Sequence, residues 1–408
     1  MWGSWLPFRL PISPESMARE TAQFERDLAE AEAEGGPDSQ SVLAARSKLG
    51  RAYRFAGRVR DAVAVHEQNL AACVRVLGPD DPQTLAARRD LAWSWLAAGR
   101  LAGAVAGMEL SLADHERVLG ADHPATVVAR SDLGNALLVA CAFTRAQPLL
   151  KRALADSERV LGHDHPDTLE CRDSLATVHV SEGRVGLALK LARRHTAACR
   201  RVLPPGHPDE VRSRSILGVR YLSASRITAG ITEHQRALAD YERLLGPDHP
   251  LTLQERALLG SGYSQAGQHD AGIAMLRQAT AGLERVLGAD HPSTLISRLT
   301  LGSAHARASR AADAIAVLKS ASARCERVFG PDNRVTLSGR GSLAAAYAAA
   351  GRRRKAAALY RKVLTGFERT LGPDHPTTRE YRDRVARRRI GVTVLVSWLT
   401  VQTVFPSG

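Results

Sequence analysis

An arginine recurs at one phase of the sequence without exception. A row of guanidinium groups could bind phosphates or a carboxylate-rich partner. Each arginine, however, stands three residues before a recurring packing position, near a helix–helix seam, where a partly buried guanidinium needs an acidic partner. We therefore expect this arginine ladder to be structural. Its members are Arg46, Arg88, Arg130, Arg172, Arg214, Arg256, Arg298, Arg340 and Arg382, and the expected partners are Glu116, Glu158, Glu242, Glu284, Glu326 and Glu368.

Histidines form a second regular set, each directly before a proline. They are His123, His165, His207, His249, His291 and His375, apart from His207 all in one link sequence. Metal ligands must lie about 2 Å from one ion, whereas neighbouring units are two helix layers apart and each layer spans ~8–10 Å. These histidines cannot converge, so we expect a turn or capping role and no metal site.

The cysteines do not form a recognisable site. Cys73, Cys141, Cys171, Cys199 and Cys325 are an odd number without a C-x-x-C pair, which indicates neither a disulfide framework nor a zinc ribbon. There is also no G-x-x-x-x-G-K-[ST] phosphate loop, no H-E-x-x-H motif and no G-x-S-x-G elbow. We expect no enzymatic activity, no catalytic residue and no cofactor.

These residues are positioned by a strict repeat. A Gly-x-Asp element recurs with a period of 42 residues, and Pro204-Pro205-Gly206 fills the one register without it. The frame is unbroken from Gly36 to Gly372, which gives eight full units flanked by two half-units. The other members begin at Gly78, Gly120, Gly162, Gly246, Gly288 and Gly330. Each unit must therefore stack on the next in the same way.

Each unit contains two helices. The composition is 44% hydrophobic but only 5% aromatic, which favours helices with small contacts and an all-α fold. In one unit Asp81-Pro82 starts a helix, because a proline in the first turn loses no hydrogen bond. Gly99 ends that helix by supplying a left-handed conformation, and a second helix follows from about residue 101 to 119. The unit is an antiparallel helical hairpin.

The period alone would also permit a HEAT or armadillo array. The first helices, however, repeat a large residue, a small one and an aromatic, as in Leu91-Ala92…Trp95 and Leu217-Gly218…Tyr221. The second helices repeat a small residue: Ala62, Ala104, Ala146, Ala188, Gly230, Gly272, Ala314 and Ala356. This pattern resembles the tetratricopeptide repeat. Its Leu-Gly-Pro-Asp-His-Pro-x-Thr-Leu link resembles the 42-residue kinesin light chain subtype, which is also frequent in bacterial signalling proteins.

The resemblance covers residues 18 to 390 approximately and implies a right-handed superhelical α-solenoid. We expect an unstructured leader at 1–13, a capping helix at 14–35, eight repeats at 36–371, a second capping helix at 372–390 and an apolar non-repeat tail at 391–408. Translation could start at Met1 or at Met17.

The resemblance also implies a binding site. In this family, residues two before, two after and five after the recurring leucine contact an extended peptide on the concave face. The corresponding residues include Arg89, Trp93, Leu96, Ser131, Asn135, Leu138, Asp173, Thr177, Val180, Val219, Leu222 and Ser261. We expect a non-catalytic scaffold or adaptor that binds a peptide segment or partner domain there. The alternative is that these residues only pack repeat on repeat.

The net charge of +14 supports a rival partner, nucleic acid or an acidic protein bound through the arginine-rich surface. The basic residues are spread over all repeats and aromatics for base stacking are few, so we favour a protein or peptide partner. The odd cysteine count and the missing signal peptide favour the cytoplasm.

The segment from 390 to 405 carries no charge and follows three arginines, as a membrane stretch would. It has 16 residues, where about 20 are needed to span a bilayer, and several are polar. We therefore favour a tail that packs on the last helix or pairs with another copy over membrane insertion. The protein would then be a monomer or a tail-mediated dimer.

Overall fold

The computed structural model describes residues 14–56, 58–140, 142–204 and 206–386. These residues form eighteen α-helices and no strand, which confirms the all-α class. The helices are α1 (Pro14–Gly35), α2 (Gln40–Phe55), α3 (Val59–Val76), α4 (Pro82–Ala97), α5 (Leu101–Leu119), α6 (Pro124–Val139), α7 (Phe143–Val160), α8 (Pro166–Ser181), α9 (Val185–Val202), α10 (Pro208–Ser223), α11 (Ile227–Leu245), α12 (Pro250–Gln265), α13 (His269–Leu287), α14 (Pro292–Arg307), α15 (Ala311–Phe329), α16 (Arg334–Ala349), α17 (Arg353–Leu371) and α18 (Pro376–Ala386). The expected leader at 1–13 and tail at 391–408 lie outside the described residues.

The described helices belong to two compact units, residues 14–181 and 182–386. Unit 1 contains α1 to α8 and unit 2 contains α9 to α18. Within each unit, every first helix packs against the second helix that follows it, and that second helix packs against the first helix of the next repeat. Each unit is thus a stack of helical hairpins. None of the described helices is long and apolar enough to cross a membrane.

The histidines of the link cap the first helices. The Nδ1 atom of His249 accepts a hydrogen bond of 3.2 Å from the backbone N–H of Leu251, and Pro250 is the first helical residue. The same bond is made by His123, His165, His207, His291 and His375. A helix leaves its first N–H groups unpaired, so such an acceptor stabilises the helix start. The predicted capping role is confirmed.

The turns after six of the first helices use a left-handed residue. Gly99, Gly183, Gly267 and Gly351 adopt φ angles between 73° and 83° there. Two repeats place serines at the equivalent position, Ser225 with φ 57° and Ser309 with φ 58°. An L-residue with a side chain is strained in this region, whereas glycine is not.

Small residues bring the two helices of a hairpin together. A Cβ atom on Gly134 of α6 would lie 2.4 Å from Cδ2 of Leu150 in α7. The closest approach of a backbone atom is in unit 2, where a Cβ on Gly272 of α13 would lie 2.6 Å from the carbonyl oxygen of Gly260 in α12. Contacts this short leave no room for a methyl group. The small-residue pattern of the sequence therefore corresponds to direct backbone packing.

Candidate functional site

The arginine ladder ties each repeat to the one before it. Arg130 is buried, and its Nη2 atom lies 2.8 Å from Oε1 of Glu116, fourteen residues earlier at the end of α5. The same spacing joins Arg46 to Glu32, Arg172 to Glu158, Arg256 to Glu242, Arg298 to Glu284, Arg340 to Glu326 and Arg382 to Glu368, at 2.5 to 3.0 Å. The ladder is therefore structural, as the sequence predicted.

Two members of the ladder lack a glutamate at that spacing and use other acids. Val74 occupies the position for Arg88, which pairs with Asp114 instead. Arg200 occupies the position for Arg214, whose Nη1 atom lies 2.7 Å from Oδ2 of Asp240. A partly buried guanidinium thus finds a carboxylate even where the repeat pattern does not supply one.

In six repeats, a second arginine connects the end of the second helix to the link at the start of the same repeat. Arg117, at the end of α5, pairs with Asp80 in the link before α4, and this hydrogen bond lowers the pKa of Asp80. We call these contacts the link pairs. The others are Asp38–Arg75, Asp122–Arg159, Asp248–Arg285, Asp290–Arg327 and Asp332–Arg369. These ion pairs are exposed and lie at the links. Their arginines, like those of the ladder, therefore contact carboxylates of the same chain.

The twelve predicted peptide contacts all lie on first helices, but most are not on the surface. Arg89, Asp173 and Val180 are partly exposed. Nine are buried: Trp93, Leu96, Ser131, Asn135, Leu138, Thr177, Val219, Leu222 and Ser261. In unit 2, Ser261 is accompanied by the buried small residues Ala257, Ser264, Ser303 and Ala306. Helices α12 and α14 of unit 2 therefore have small side chains at the positions where Trp93, Leu96 and Leu138 stand in unit 1.

In unit 1 the first helices are instead bridged by polar side chains. Ser47 of α2 donates a hydrogen bond of 2.7 Å to Oδ2 of Asp90 in α4, and Arg51 Nη1 lies 3.4 Å from the same oxygen. Arg89 of α4 lies 3.8 Å from Asp132 of α6. We call the residues Ser47, Arg51, Arg54, Arg89, Asp90, Asp132, Asn135 and Glu170 the polar strip.

The strip continues from α6 to α8, where Asn135 Nδ2 donates a hydrogen bond of 3.2 Å to Oε1 of Glu170. Burial raises the pKa of Asp132 to about 6 and lowers the pKa of Arg54 to about 10, because both charged forms lose solvation. The Arg54 guanidinium lies 5.8 Å from the centre of the Trp93 ring. Charges in such a water-poor environment interact more strongly with a ligand than they would in bulk water.

Arg51 and Arg54 were missing from the predicted set. They stand two and five residues after Leu49, so the family spacing applied to the first repeat finds them. Asp132, directly before Leu133, and Glu170, five residues before Leu175, were not among the predicted contacts. No group of three or more histidine, cysteine, aspartate or glutamate side chains in the described residues could hold a metal ion.

Comparison with known families decides the classification. A model of the tetratricopeptide repeat matches residues 41–106, 140–201, 209–285, 253–327 and 301–369, together more than half of the chain. The chain belongs to the tetratricopeptide repeat family. The family predicted from the sequence is confirmed. A comparison with curated proteins found no significant match.

Solved structures of this tetratricopeptide repeat fold cover most of the chain. A Rap protein complexed with competence and sporulation factor is 11% identical, with a TM-score of 0.52 over 92% of this chain and 100% of its own. The Rap conjugation gene regulator of plasmid pLS20, in complex with the Phr* peptide, is 11% identical, with a TM-score of 0.52 over 89% of this chain and 98% of its own.

A third structure is that of a Podosopora anserina protein with nearly identical, kinesin light chain-like repeats. It is 25% identical and covers 49% of this chain and 95% of its own, with a TM-score of 0.42.

Proposed function

We propose that this tetratricopeptide repeat protein is a non-catalytic scaffold that binds a peptide segment or partner domain on the concave face of its first helices. The polar strip of unit 1 carries this proposal. Its charged groups cross four successive first helices and are held in place by contacts between repeats. Preorganised polar groups bind with a smaller loss of conformational entropy than mobile ones.

The strip contains both signs of charge next to buried apolar side chains. Arg89 of α4 and Asp132 of α6 are partly exposed, while Trp93 and Leu96 of α4 and Leu138 of α6 are buried. An extended segment with apolar residues flanked by charged ones fits this chemistry, because alternate side chains can reach different pockets and the backbone can bond to polar groups. In the two Rap structures, a peptide or factor is bound by a protein of this fold, which supports the same class of partner.

A nucleic-acid partner is disfavoured by the use that the chain makes of its arginines. The ladder and the link pairs occupy many guanidinium groups with carboxylates of the same chain. A phosphate would have to compete with these partners, and the remaining positive charge would give only salt-sensitive, unspecific binding.

We further propose that the protein acts in the cytoplasm. Cys73, Cys171, Cys199 and Cys325 are free and buried, which suits a reducing compartment. The expected tail-mediated pairing concerns residues outside the described ranges, and whether the protein is a monomer or a dimer stays a prediction.

The binding proposal can be tested by peptide selection followed by site-specific crosslinking. A random peptide library is first selected on the full-length protein. A photoreactive residue then replaces Arg89 or Asp173, both partly exposed on first helices, or Arg361, which is exposed on the second helix α17 and serves as the control. We expect the selected peptide to crosslink at positions 89 and 173 and not at 361. Equal labelling at 361, or no peptide selected at all, would refute the proposal.

Salt dependence separates the two partner classes. A peptide held by apolar and hydrogen-bonded contacts keeps most of its affinity between 50 and 200 mM salt, whereas nucleic acid held by many phosphate contacts loses about 10³-fold or more. An RNA or DNA oligonucleotide that binds more tightly than the selected peptide at 200 mM salt would favour the alternative.

A further inference from the structure

Unit 2 contains a cavity of about 460 Å³ near the ends of three first helices. It is lined by Ser264, Gln265, Gly267, His269, Ala306, Arg307, Ser309, Ala311 and Ala349. Helices α12, α14 and α16 end here, and α13 and α15 begin here. Binding sites for small ligands usually enclose about 300–1,000 Å³, so the cavity is large enough for one residue of a peptide.

The cavity contains a cation that no carboxylate of the described residues neutralises. Arg307 is partly buried, and burial alone lowers its pKa, with no contribution from an acidic neighbour. The ladder arginines, in contrast, are all paired. Arg310, three residues further, is also paired, with Asp270 at 2.5 Å. Arg307 thus stands apart from the structural arginines of its own unit.

Two further polar groups in the cavity have unused hydrogen-bonding capacity. Ser264 is 4% exposed, and its Oγ atom makes no hydrogen bond within the described residues. The Nδ1 atom of His269 is likewise buried without such a partner. Buried polar atoms are nearly always hydrogen-bonded, so unpaired ones that line the same cavity as a cation indicate a missing acceptor or anion.

The helix ends around the cavity also favour negative charge. The last carbonyl groups of α12 and α14 already accept hydrogen bonds from the turns, for example from Gln268 to Tyr263 and from Arg310 to His305. The starts of α13 and α15 have no side-chain cap, so their first N–H groups are unpaired and carry partial positive charge.

The acidic residues in the first turns of α13 and α15 are in contact with other groups. Asp270 pairs with Arg310 at 2.5 Å, and Oδ2 of Asp313 lies 3.8 Å from Nδ1 of His305. Neither carboxylate forms an ion pair with Arg307, which therefore has no counter-ion among the described residues.

We propose that this cavity of unit 2 is a subsite for a carboxylate group of a peptide partner, with Arg307 as its counter-ion and Ser264 and His269 as hydrogen-bond partners. This inference rests on the proposed peptide-binding function. The planar guanidinium suits a carboxylate, and a single unpaired cation balances one negative charge. The methyl groups of Ala306, Ala311 and Ala349 contact the aliphatic part of the residue that carries the carboxylate.

The subsite can be tested on the full-length protein without knowledge of the natural partner. Glutarate and inorganic phosphate are titrated while the Nε–Hε signals of the arginines are followed by NMR. We expect glutarate to shift the Arg307 signal saturably and more tightly than phosphate does. Arg307→Gln weakens glutarate binding at least about tenfold, the typical value of a lost charge-assisted hydrogen bond. Ser264→Ala weakens it less.

The matched control is Arg361→Gln, since Arg361 is an exposed arginine of α17 that does not line the cavity. It should leave glutarate binding unchanged. Circular dichroism verifies that each variant remains helical. Absence of a saturable shift, tighter binding of phosphate than of glutarate, or equal loss in the Arg307 and Arg361 variants would overturn the proposal.

The source of the carboxylate is distinguished with acetylated tetrapeptides. One set has a free C-terminus and no acidic residue, and the other has a C-terminal amide and one glutamate. Binding of the first set that depends on Arg307 assigns a chain end, and such binding of the second assigns a side chain. If neither binds, the subsite is refuted. If peptides selected from the library bind the Arg307→Gln variant as well as the native protein, the subsite fails while the scaffold function stands; if none are selected, the scaffold function fails.

Discussion

Arg130 Nη2 lies 2.8 Å from Glu116 Oε1, and the guanidinium is only 1% exposed. The same group also contacts Asp156 at 2.6 Å. Arg130→Met should destabilise the helices around it by about 1–3 kcal/mol, because it removes the charge-assisted hydrogen bonds of a buried guanidinium. Water can still solvate Glu116, which is 40% exposed, and Asp156 keeps its contacts with Arg152 and Arg159. The measurement is the urea midpoint of unit 1 unfolding, followed by circular dichroism.

The end of the ladder supplies a graded control. Arg382 makes the equivalent contact to Glu368, but its side chain is 43% exposed. Arg382→Met should cost less than about 1 kcal/mol, because solvent screens an exposed ion pair. Equal losses in the two variants would show that burial does not determine the strength of the ladder.

Gly272→Ala should destabilise unit 2 by about 1–3 kcal/mol, the typical cost of overpacking. The new methyl group would lie 2.6 Å from the carbonyl oxygen of Gly260 and 2.8 Å from the backbone nitrogen of Ser264, and backbone atoms cannot move aside easily. Gly186→Ala is the control. No atom lies within 4 Å of that Cβ position, so this helical substitution should be neutral or stabilising by up to about 1 kcal/mol. Thermal unfolding of both variants distinguishes the outcomes.

Ser225→Gly should raise stability by several tenths of a kcal/mol or more, although the unfolded chain gains entropy. The reason is the left-handed backbone of Ser225, φ 57°, at a position where five other repeats have glycine. The reverse change, Gly99→Ser, should lower stability by a similar amount. A Ser225→Gly variant that melts below the native protein would contradict this interpretation.

His66 should make unit 1 sensitive to acid. It is fully buried beside Gly50, with Asp90, Arg51 and Arg54 as its charged neighbours, and burial lowers its pKa from 6.5 to about 4. The unfolded chain therefore binds the proton more readily than the folded one, so stability is lost as the pH falls from about 6.5 towards 4. At pH 5 the loss is about 2 kcal/mol.

His66→Leu should abolish this contribution, because leucine does not bind a proton. Leucine should also fit the site, since the equivalent pair two repeats later is Gly134 and Leu150. The measurement is the difference in urea midpoint between pH 7 and pH 5. His163→Gln, at an exposed position, is the control and should behave like the native protein. An unchanged difference in His66→Leu would mean that other groups cause the acid sensitivity.

The sequence predicted those features that recur at the same position of successive 42-residue repeats. The capping histidines and the partners of the ladder follow from spacing alone, and His249 and Arg130 are placed as expected. The sequence did not predict how exposed the proposed peptide contacts are, because their exposure depends on how closely neighbouring first helices pack against one another. Residues such as Leu138 and Ser261 are consequently buried.

The cavity around Arg307 could not be predicted for a different reason. Arg307 is unpaired because no carboxylate lies close enough to form an ion pair with it. The sequence contains many aspartates and glutamates, and it does not show which of them lie near Arg307. Only the positions of Asp270 and its neighbours reveal that the available acid pairs with Arg310 instead.

The two kinds of arginine contact together restrict how the length of this chain can change. A link pair joins residues 37 positions apart within one repeat, whereas a ladder pair joins residues 14 positions apart in two neighbouring repeats. If 42 residues were removed between Glu116 and Arg172, Arg172 would stand where Arg130 now stands and could take over its glutamate. A deletion that does not remove whole repeats would leave a charged side chain without its ion-pair partner at the new junction. The ladder and link pairs therefore tolerate the duplication or loss of whole 42-residue repeats.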